Sequence, residues 1–302
     1  MKKITTSIHL VLLFLSIGMM NQAAKAQIVN YKIVHDSPWL PANKPIRAYI
    51  DVLAVDLIDG NAAMSLGLRA EYFYKKYGTI RLERRMGYLD GKSMSDNETR
   101  KKNLDHFALN DIGATYNFNI KTKRVPVNIV ISSKKTEGNK SIKFENEEYM
   151  VEGSKGKVSS LRGGIINFRM PTAYDLSGKA WMTTSFNTYI GLSRLTSINL
   201  WAESQFGKGG FRNRWGVYGD VIYNLSTKRK DYSRVPDNTP LSAAKQIGYR
   251  AGFVYDGVSE AKRPGLGFLS TRLEFGKMPG NIKSFYMNLS TGLCFDLGKK
   301  IK

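Results

Sequence analysis

Read in steps of two, most of this chain separates into an apolar set and a polar or small set. Phe285, Met287, Leu289, Thr291, Leu293, Phe295 and Leu297 alternate with Tyr286, Asn288, Ser290, Gly292, Cys294 and Asp296. Successive side chains of a β-strand point to opposite faces, so this segment presents one apolar and one polar face. The same alternation runs through Ile247, Tyr249, Ala251, Phe253 and Tyr255, and through Trp215, Val217, Val221, Tyr223 and Leu225. It recurs in Leu66, Leu68, Ala70, Tyr72 and Tyr74, in Ile112, Ala114, Tyr116 and Phe118, and in Leu269, Thr271, Leu273 and Phe275. Helical spacing fits none of these windows.

The alternation template selects about twelve strands. They fall near 46–59, 64–75, 78–88, 107–120, 125–133, 158–170, 183–194, 197–206, 214–225, 246–256, 264–276 and 282–297. The first is the weakest, because its apolar phase slips near Ala54. The segments 183–194 and 197–206 read either as two strands or as one long strand with a bend. Gly163-Gly164 within a strand reads as a bulge or tight curvature. No helical domain appears. The expected fold is all-β, a transmembrane antiparallel up-and-down barrel.

A water-soluble sandwich would also alternate. Three features favour the membrane barrel. Many segments reach ten residues or more, near the ~9–11 that cross a bilayer. Tyr and Phe recur toward the ends of the apolar faces, where an interfacial girdle belongs. The connections alternate in length, with turns near 75–78 and 121–124, middling links at 171–182, 207–213 and 257–263, and long loops at 89–106, 134–157 and 226–245. Short periplasmic turns opposite longer external loops are the arrangement of outer-membrane barrels.

The N-terminus reads as an address. Lys2 and Lys3 precede an apolar run over 8–20, and Ala24-Lys25-Ala26 supplies a small-residue cleavage pattern before Gln27. These are the three parts of a secretory signal peptide, and the run is too short for a membrane anchor. The domains expected are a cleaved signal peptide, 1–26; an irregular periplasmic lead-in, 27–45, containing Pro38, Pro41 and Pro45; and an outer-membrane barrel, 46–302.

The signal segment ending before Gln27, the Gly- and Tyr-rich stretch SLGLRAEYFYKKYGTIRLERRMGYLD and the last strand FYMNLSTGLCFDLG resemble outer-membrane β-barrel proteins of the Bacteroidota type. The likeness covers most of the mature chain and is one of style. It implies insertion into the outer membrane by the barrel-assembly machinery, and it carries no catalytic residues. Such barrels often end on an aromatic residue, whereas Lys299, Lys300, Ile301 and Lys302 close this chain.

Few residues point to chemistry. Asp105-His106 has the composition of an outer-membrane protease dyad, but no nucleophile or second acidic pair is placed beside it, and it reads as a solvated polar pair. No serine is marked as activated, and two distant histidines, His35 and His106, make a poor metal site. The single cysteine, Cys294, lies in the small and polar set of its strand and reads as a buried thiol. Gly207-Lys208-Gly209-Gly210 lacks the spacing of a phosphate loop. No enzyme activity and no cofactor are expected, and nothing in the pattern resembles a nucleic-acid fold.

The polar faces carry charge of both signs. Arg69, Glu71, Arg81, Glu83, Arg85, Arg169, Glu203, Arg214, Asp220, Arg250, Arg272 and Glu274 would converge on the lumen of a barrel. They read equally as a lined pore or as ion pairs that fill the interior. The whole chain holds 46 Lys+Arg against 25 Asp+Glu, a formal charge of +21. The proposed connections gather most of that excess on a periplasmic rim of Lys75, Lys76, Lys121, Lys123, Arg124, Lys208, Arg212, Lys299, Lys300 and Lys302, and leave the lumen nearly balanced. Outer-membrane lipid or lipopolysaccharide, or an acidic periplasmic or secretion partner, would suit that rim. Two functions follow: a porin-like channel or small-solute transporter with a charge-balanced Arg/Glu lumen, or a non-conducting barrel anchoring a secretion or surface-assembly complex.

Overall fold

The structure is a computed structural model that describes residues 31–38, 45–58, 61–90, 107–137, 141–171, 181–204, 207–231, 246–258, 268–279 and 285–297. The described elements are all strands: β1 (Tyr31–Asp36), β2 (Ile46–Ile58), β3 (Asn61–Tyr74), β4 (Gly78–Asp90), β5 (Ala108–Glu137), β6 (Ser141–Pro171), β7 (Trp181–Ser204), β8 (Gly207–Asp231), β9 (Ile247–Val258), β10 (Phe268–Lys277) and β11 (Phe285–Leu297). Each of β2 to β11 pairs antiparallel with its sequence neighbours, and β11 pairs with β2, so ten strands close into a barrel. Closure satisfies the backbone groups that an open edge would expose. β1 lies outside the ring, on the edge of β7.

The ring has ten strands where the alternation selects twelve, and two mergers account for the difference. The Lys-Thr-Lys-Arg stretch at 121–124 is not a turn: β5 runs straight through it, opposite Lys157 to Ser154 of β6. A bulge between Asn117 and Asn119 shifts the side-chain phase by one residue and breaks the alternation there. The segments 183–194 and 197–206 are one strand, β7. Nor is 134–157 a loop, since β5 and β6 stay paired up to Glu137 and Ser141. The slip near Ala54 is a second bulge, between Asp51 and Ala54. The lead-in is irregular only in part, because residues 31–36 form β1.

Chain direction assigns the connections to two ends. The barrel's own ends, Ile46 and Leu297, share one end, the termini end, with the strand ends Tyr74, Gly78, Glu137, Ser141, Ser204, Gly207, Val258 and Phe268. Ile58, Asn61, Asp90, Ala108, Pro171, Trp181, Asp231, Ile247, Lys277 and Phe285 end their strands at the other, the loop end. Pro171 and Trp181, which bound the expected link at 171–182, therefore lie at the loop end, opposite to the expected side. At the termini end Lys75 takes a left-handed conformation, φ 51°, in the tight turn to β4.

The two faces of the ring are inverted relative to a water-soluble core. Leu68, Leu82, Ile112, Ile190, Leu192, Val221, Leu273 and Leu289 are exposed on the outer surface. Aromatic side chains flank this aliphatic zone: Tyr72, Tyr74, Tyr116, Phe118 and Trp215 toward the termini end, and Tyr88, Phe186, Tyr223, Tyr249 and Phe285 toward the loop end. Trp215 and Tyr223 lie eight residues apart on β8, which at a tilt of ~40° separates the two rings by about 20 Å.

At the termini end the wall splits. β6 stays paired with β7 as far as Lys155 and Ile198 and then leaves it. β7 keeps β8 on one edge and takes β1 on the vacated edge, with Asp36 opposite Leu200 and His35 opposite Trp201. The resulting β1–β7–β8 flap crosses the barrel mouth. Its inner face places Trp201 against Tyr49 and Cys294 on the far wall. Its outer face is covered by the β5–β6 ribbon, where Val127, Ile129, Tyr149 and Val151 pack on Leu200 and Ala202. Burial of each such side chain contributes roughly 1.5–3 kcal/mol, so this second core is what holds the flap shut. Asp36 adds a polar clasp: it accepts bonds from the Ser154 amide at 2.6 Å and hydroxyl at 2.9 Å and pairs with Arg124.

Candidate functional site

The chemistry of the molecule is concentrated inside the bore. Among the described residues, nine arginines point inward (Arg47, Arg69, Arg81, Arg85, Arg162, Arg212, Arg214, Arg250 and Arg272). Nine buried carboxylates share the bore with them: Asp51, Asp56, Glu71, Glu83, Asp111, Asp220, Asp256, Glu274 and Asp296. The formal charge of this set is zero.

The groups are arranged in tiers, because each strand offers an inward position every second residue. At the termini end Asp296 takes Arg47 at 3.0 Å and Arg212 at 2.8 Å. Above it Arg214 of β8 reaches across the bore to Glu71 on β3 at 2.9 Å and to the Tyr49 hydroxyl at 2.8 Å, and also bonds its cross-strand neighbour Asp256 on β9 at 2.9 Å. The middle tier joins Arg250 to Asp220 at 2.7 Å and to Asp111 at 2.8 Å, with Arg81 on the same Asp111 at 2.8 Å. In that tier Arg272 of β10 grips Glu83 of β4 with two bonds of 2.6 and 2.5 Å. Nearest the loop end Arg85 holds Asp56 at 2.8 Å and donates to the Tyr286 hydroxyl at 2.6 Å. Tyr218 and Tyr286 both donate to Glu274.

Several of these bonds join strands on opposite sides of the ring, so the tiers fill its cross-section. Buried apolar clusters lie beside the tiers at both ends. Trp201, Tyr49 and Cys294 occupy the termini end, and Phe107, Leu109, Ile166, Phe168, Ile222 and Met278 cluster toward the loop end. Removing charges from water is costly, and their attraction repays it only with good geometry and satisfied remaining groups. The bidentate pair, the tyrosine hydroxyls and stacking of Arg69 on Tyr49 (3.8 Å) and Arg162 on Tyr218 (3.9 Å) meet that condition in part, while Arg69, Arg214 and Arg272 each keep a buried Nε with no hydrogen-bond partner. A cavity of about 110 Å³ remains above the flap, bordered by Arg81, Arg162, Arg214, Asn117, Ser193 and Tyr189.

Of the twelve side chains expected in the lumen, Arg69, Glu71, Arg81, Glu83, Arg85, Arg214, Asp220, Arg250, Arg272 and Glu274 share this network. Two do not. Arg169 lies in the outward phase of β6, where Arg162, Ile166 and Phe168 take the inward positions. Glu203 sits on the flap beyond the barrel floor, opposite Lys32 of β1 and Lys208 of β8. On the expected rim, Arg212 is instead buried against Asp296 inside the bore. Lys75 and Lys76 lie in the β3–β4 turn, Lys121 and Lys123 are exposed on β5, and Arg124 is exposed and engages Asp36. Lys208 is in β8, and Lys299, Lys300, Lys302, Asp105, His106 and the 1–26 segment lie outside the described residues.

Arg47, Asp51, Asp56, Asp111, Arg162, Asp256 and Asp296 also line the bore but are not among the twelve expected there. Arg47 and Asp56 fall on one face only once the bulge at Ala54 is inserted. Gly113 and Gly164 were a further signal. They face each other across β5 and β6, and a Cβ on Gly113 would sit 2.0 Å from the Tyr189 hydroxyl. The glycines clear space for Tyr189 to reach Asp111 at 3.1 Å, and no register shift occurs at Gly163-Gly164. His35 is buried on the flap beside the Asn199 amide. No group of three or more His, Cys, Asp or Glu side chains is arranged to hold a metal ion among the described residues. No protein-family model matches the chain, and no curated protein matches it in sequence.

Proposed function

We propose that this chain is an exported outer-membrane barrel that does not conduct, and that anchors a secretion or surface-assembly complex through its termini end. The observation that carries the reading is the bore, crossed by ion pairs from opposite walls and covered at the termini end by the β1–β7–β8 flap. Membrane insertion is supported by the inverted faces: an outer surface made mostly of exposed apolar side chains between two aromatic rings, interrupted by Arg84, Asn110 and Asn167, is not that of a water-soluble monomer. The resemblance to Bacteroidota-type barrels supports the same location and assembly by the barrel-assembly machinery. On this reading the termini end faces the periplasm, and the flap with its β5–β6 cover is the part offered to a partner.

A porin-like passage for small solutes is the second reading, favoured by the 110 Å³ cavity above the flap. Reconstitution separates the two. Refolded protein that shows heat-modifiable mobility and inserts into vesicles should give neither single-channel steps in a planar bilayer nor liposome swelling. Reproducible conductance from such protein would overturn the anchor reading. Crosslinking in isolated outer membranes should recover a partner through the flap or ribbon, and recovery of free monomer alone would count against it.

A further inference from the structure

We propose that the outer face where β5, β6 and β7 leave the apolar belt is a binding site for an anionic phospholipid headgroup. The inference rests on the membrane reading above. Lys121 lies directly opposite Lys157, and Lys123 directly opposite Lys155. The two pairs are two residues apart, so all four side chains leave the same face. Arg194 stands opposite Ser159 and diagonal to Lys157, on that face too.

Directly opposed residues carry their Cβ atoms about 4.5–5.5 Å apart, and like charges so placed repel. Two consecutive pairs of lysines therefore oppose the β5–β6 pairing that the ribbon depends on. The surrounding positions on the same face are Asn119, Val125, Gly153, Ser159, Leu161, Leu192, Thr196 and Ile198, with no acid. Among the described residues, no carboxylate lies within ion-pair distance of these five cations. An external anion is the natural counterpart.

The position of the cluster selects that anion. Immediately toward the barrel centre lie Tyr116, Phe118, Leu161 and Leu192, all exposed. The Lys75-Lys76 turn lies alongside, since the Asn117 side chain donates to the Lys76 carbonyl at 2.7 Å. A cationic cluster bordering an aromatic and aliphatic belt lies at headgroup depth, where juxtamembrane lysines meet lipid phosphates. The site would hold a phosphate diester of the leaflet at the termini end, with its acyl chains against Tyr116, Phe118 and Leu161.

The test compares wild-type protein with Lys121→Gln/Lys123→Gln/Lys155→Gln/Lys157→Gln, and with a loop-end control, Lys228→Gln/Lys277→Gln. Each is inserted into vesicles of zwitterionic phospholipid doped with phosphatidylglycerol, extracted in mild detergent and weighed by native mass spectrometry. Wild type and control should retain phosphatidylglycerol over the zwitterionic lipid, and the quadruple variant should lose at least tenfold of that retention. Its heat-modifiable mobility should persist, because the substitutions remove a repulsion. Equal retention in the quadruple variant and wild type, no headgroup preference in wild type, or displacement by lipopolysaccharide in preference to phosphatidylglycerol would each overturn the site. Failure of wild type to enter vesicles would instead overturn the membrane reading on which the site rests.

Discussion

Glu83 and Arg272 offer a direct test of whether the interior network holds the barrel together. Both side chains are almost fully buried, and their two bonds of 2.5 and 2.6 Å tie β4 to β10 across the bore. Glu83 also lies 3.0 Å from Arg85, but Arg85 retains Asp56 at 2.8 Å. Arg272 has no second carboxylate within ion-pair distance among the described residues. Glu83→Gln therefore strands one buried guanidinium and gives the interior a net positive charge. Breaking a buried pair from one side costs about 3–5 kcal/mol. With a guanidinium slope of about 2–6 kcal/mol/M, the unfolding midpoint should fall by roughly 1 M. Tryptophan fluorescence in detergent micelles, checked by heat-modifiable gel mobility, measures it. The double variant Glu83→Met/Arg272→Met removes both charges and should return within about 1 kcal/mol of wild type, since apolar replacement of a whole buried pair is near neutral. The coupling would then exceed the ~0.5 kcal/mol scatter of independent sites. An unchanged midpoint for Glu83→Gln, or a double variant as unstable as the sum of the singles, would refute the argument.

Trp201→Ala should cost about 3–5 kcal/mol, and the opened floor should admit maleimide to Cys294, which stays unlabelled in folded wild type; equal labelling rates would sink this. Ile190→Arg on the outer face should cost about 2–4 kcal/mol of stability in vesicles if the surface meets hydrocarbon, against under ~0.5 kcal/mol for a water-facing site. Gly164→Ala places a Cβ 2.3 Å from the Ile112 carbonyl oxygen, so it should destabilise by about 1–3 kcal/mol. Gly219→Ala meets nothing within 4 Å and should be neutral or slightly stabilising, and unfolding midpoints compare the two.

Much of the barrel is legible as alternation because a period of two records which face meets which environment. The ends of β2, β3, β4, β9, β10 and β11 lie within a few residues of where the pattern stops and starts. The pattern fails where the phase changes without the strand ending. At Asn117 a bulge turns one face of β5 into the other, and the basic stretch that follows then looks like a turn. The long β5, β6, β7 and β8 extend beyond the ring and bury both faces, so they lose the strict alternation from which the rest is read. β1 is six residues among prolines and exists because β7 has a vacant edge.

The alternation along the chain specifies a β-structure with one apolar and one charged face and most of the residues that line the interior. These depend on local order along the chain. That ion pairs cross the bore, that β7 and β8 fold over the mouth, and that Lys121 and Lys157 oppose each other all follow from how the strands pair. Pairing across a ring depends on strand number, tilt and register, and a one-residue bulge changes the partner of every position beyond it. The same arginines would line an open pore in a wider ring; in one of ten strands they reach the opposite wall.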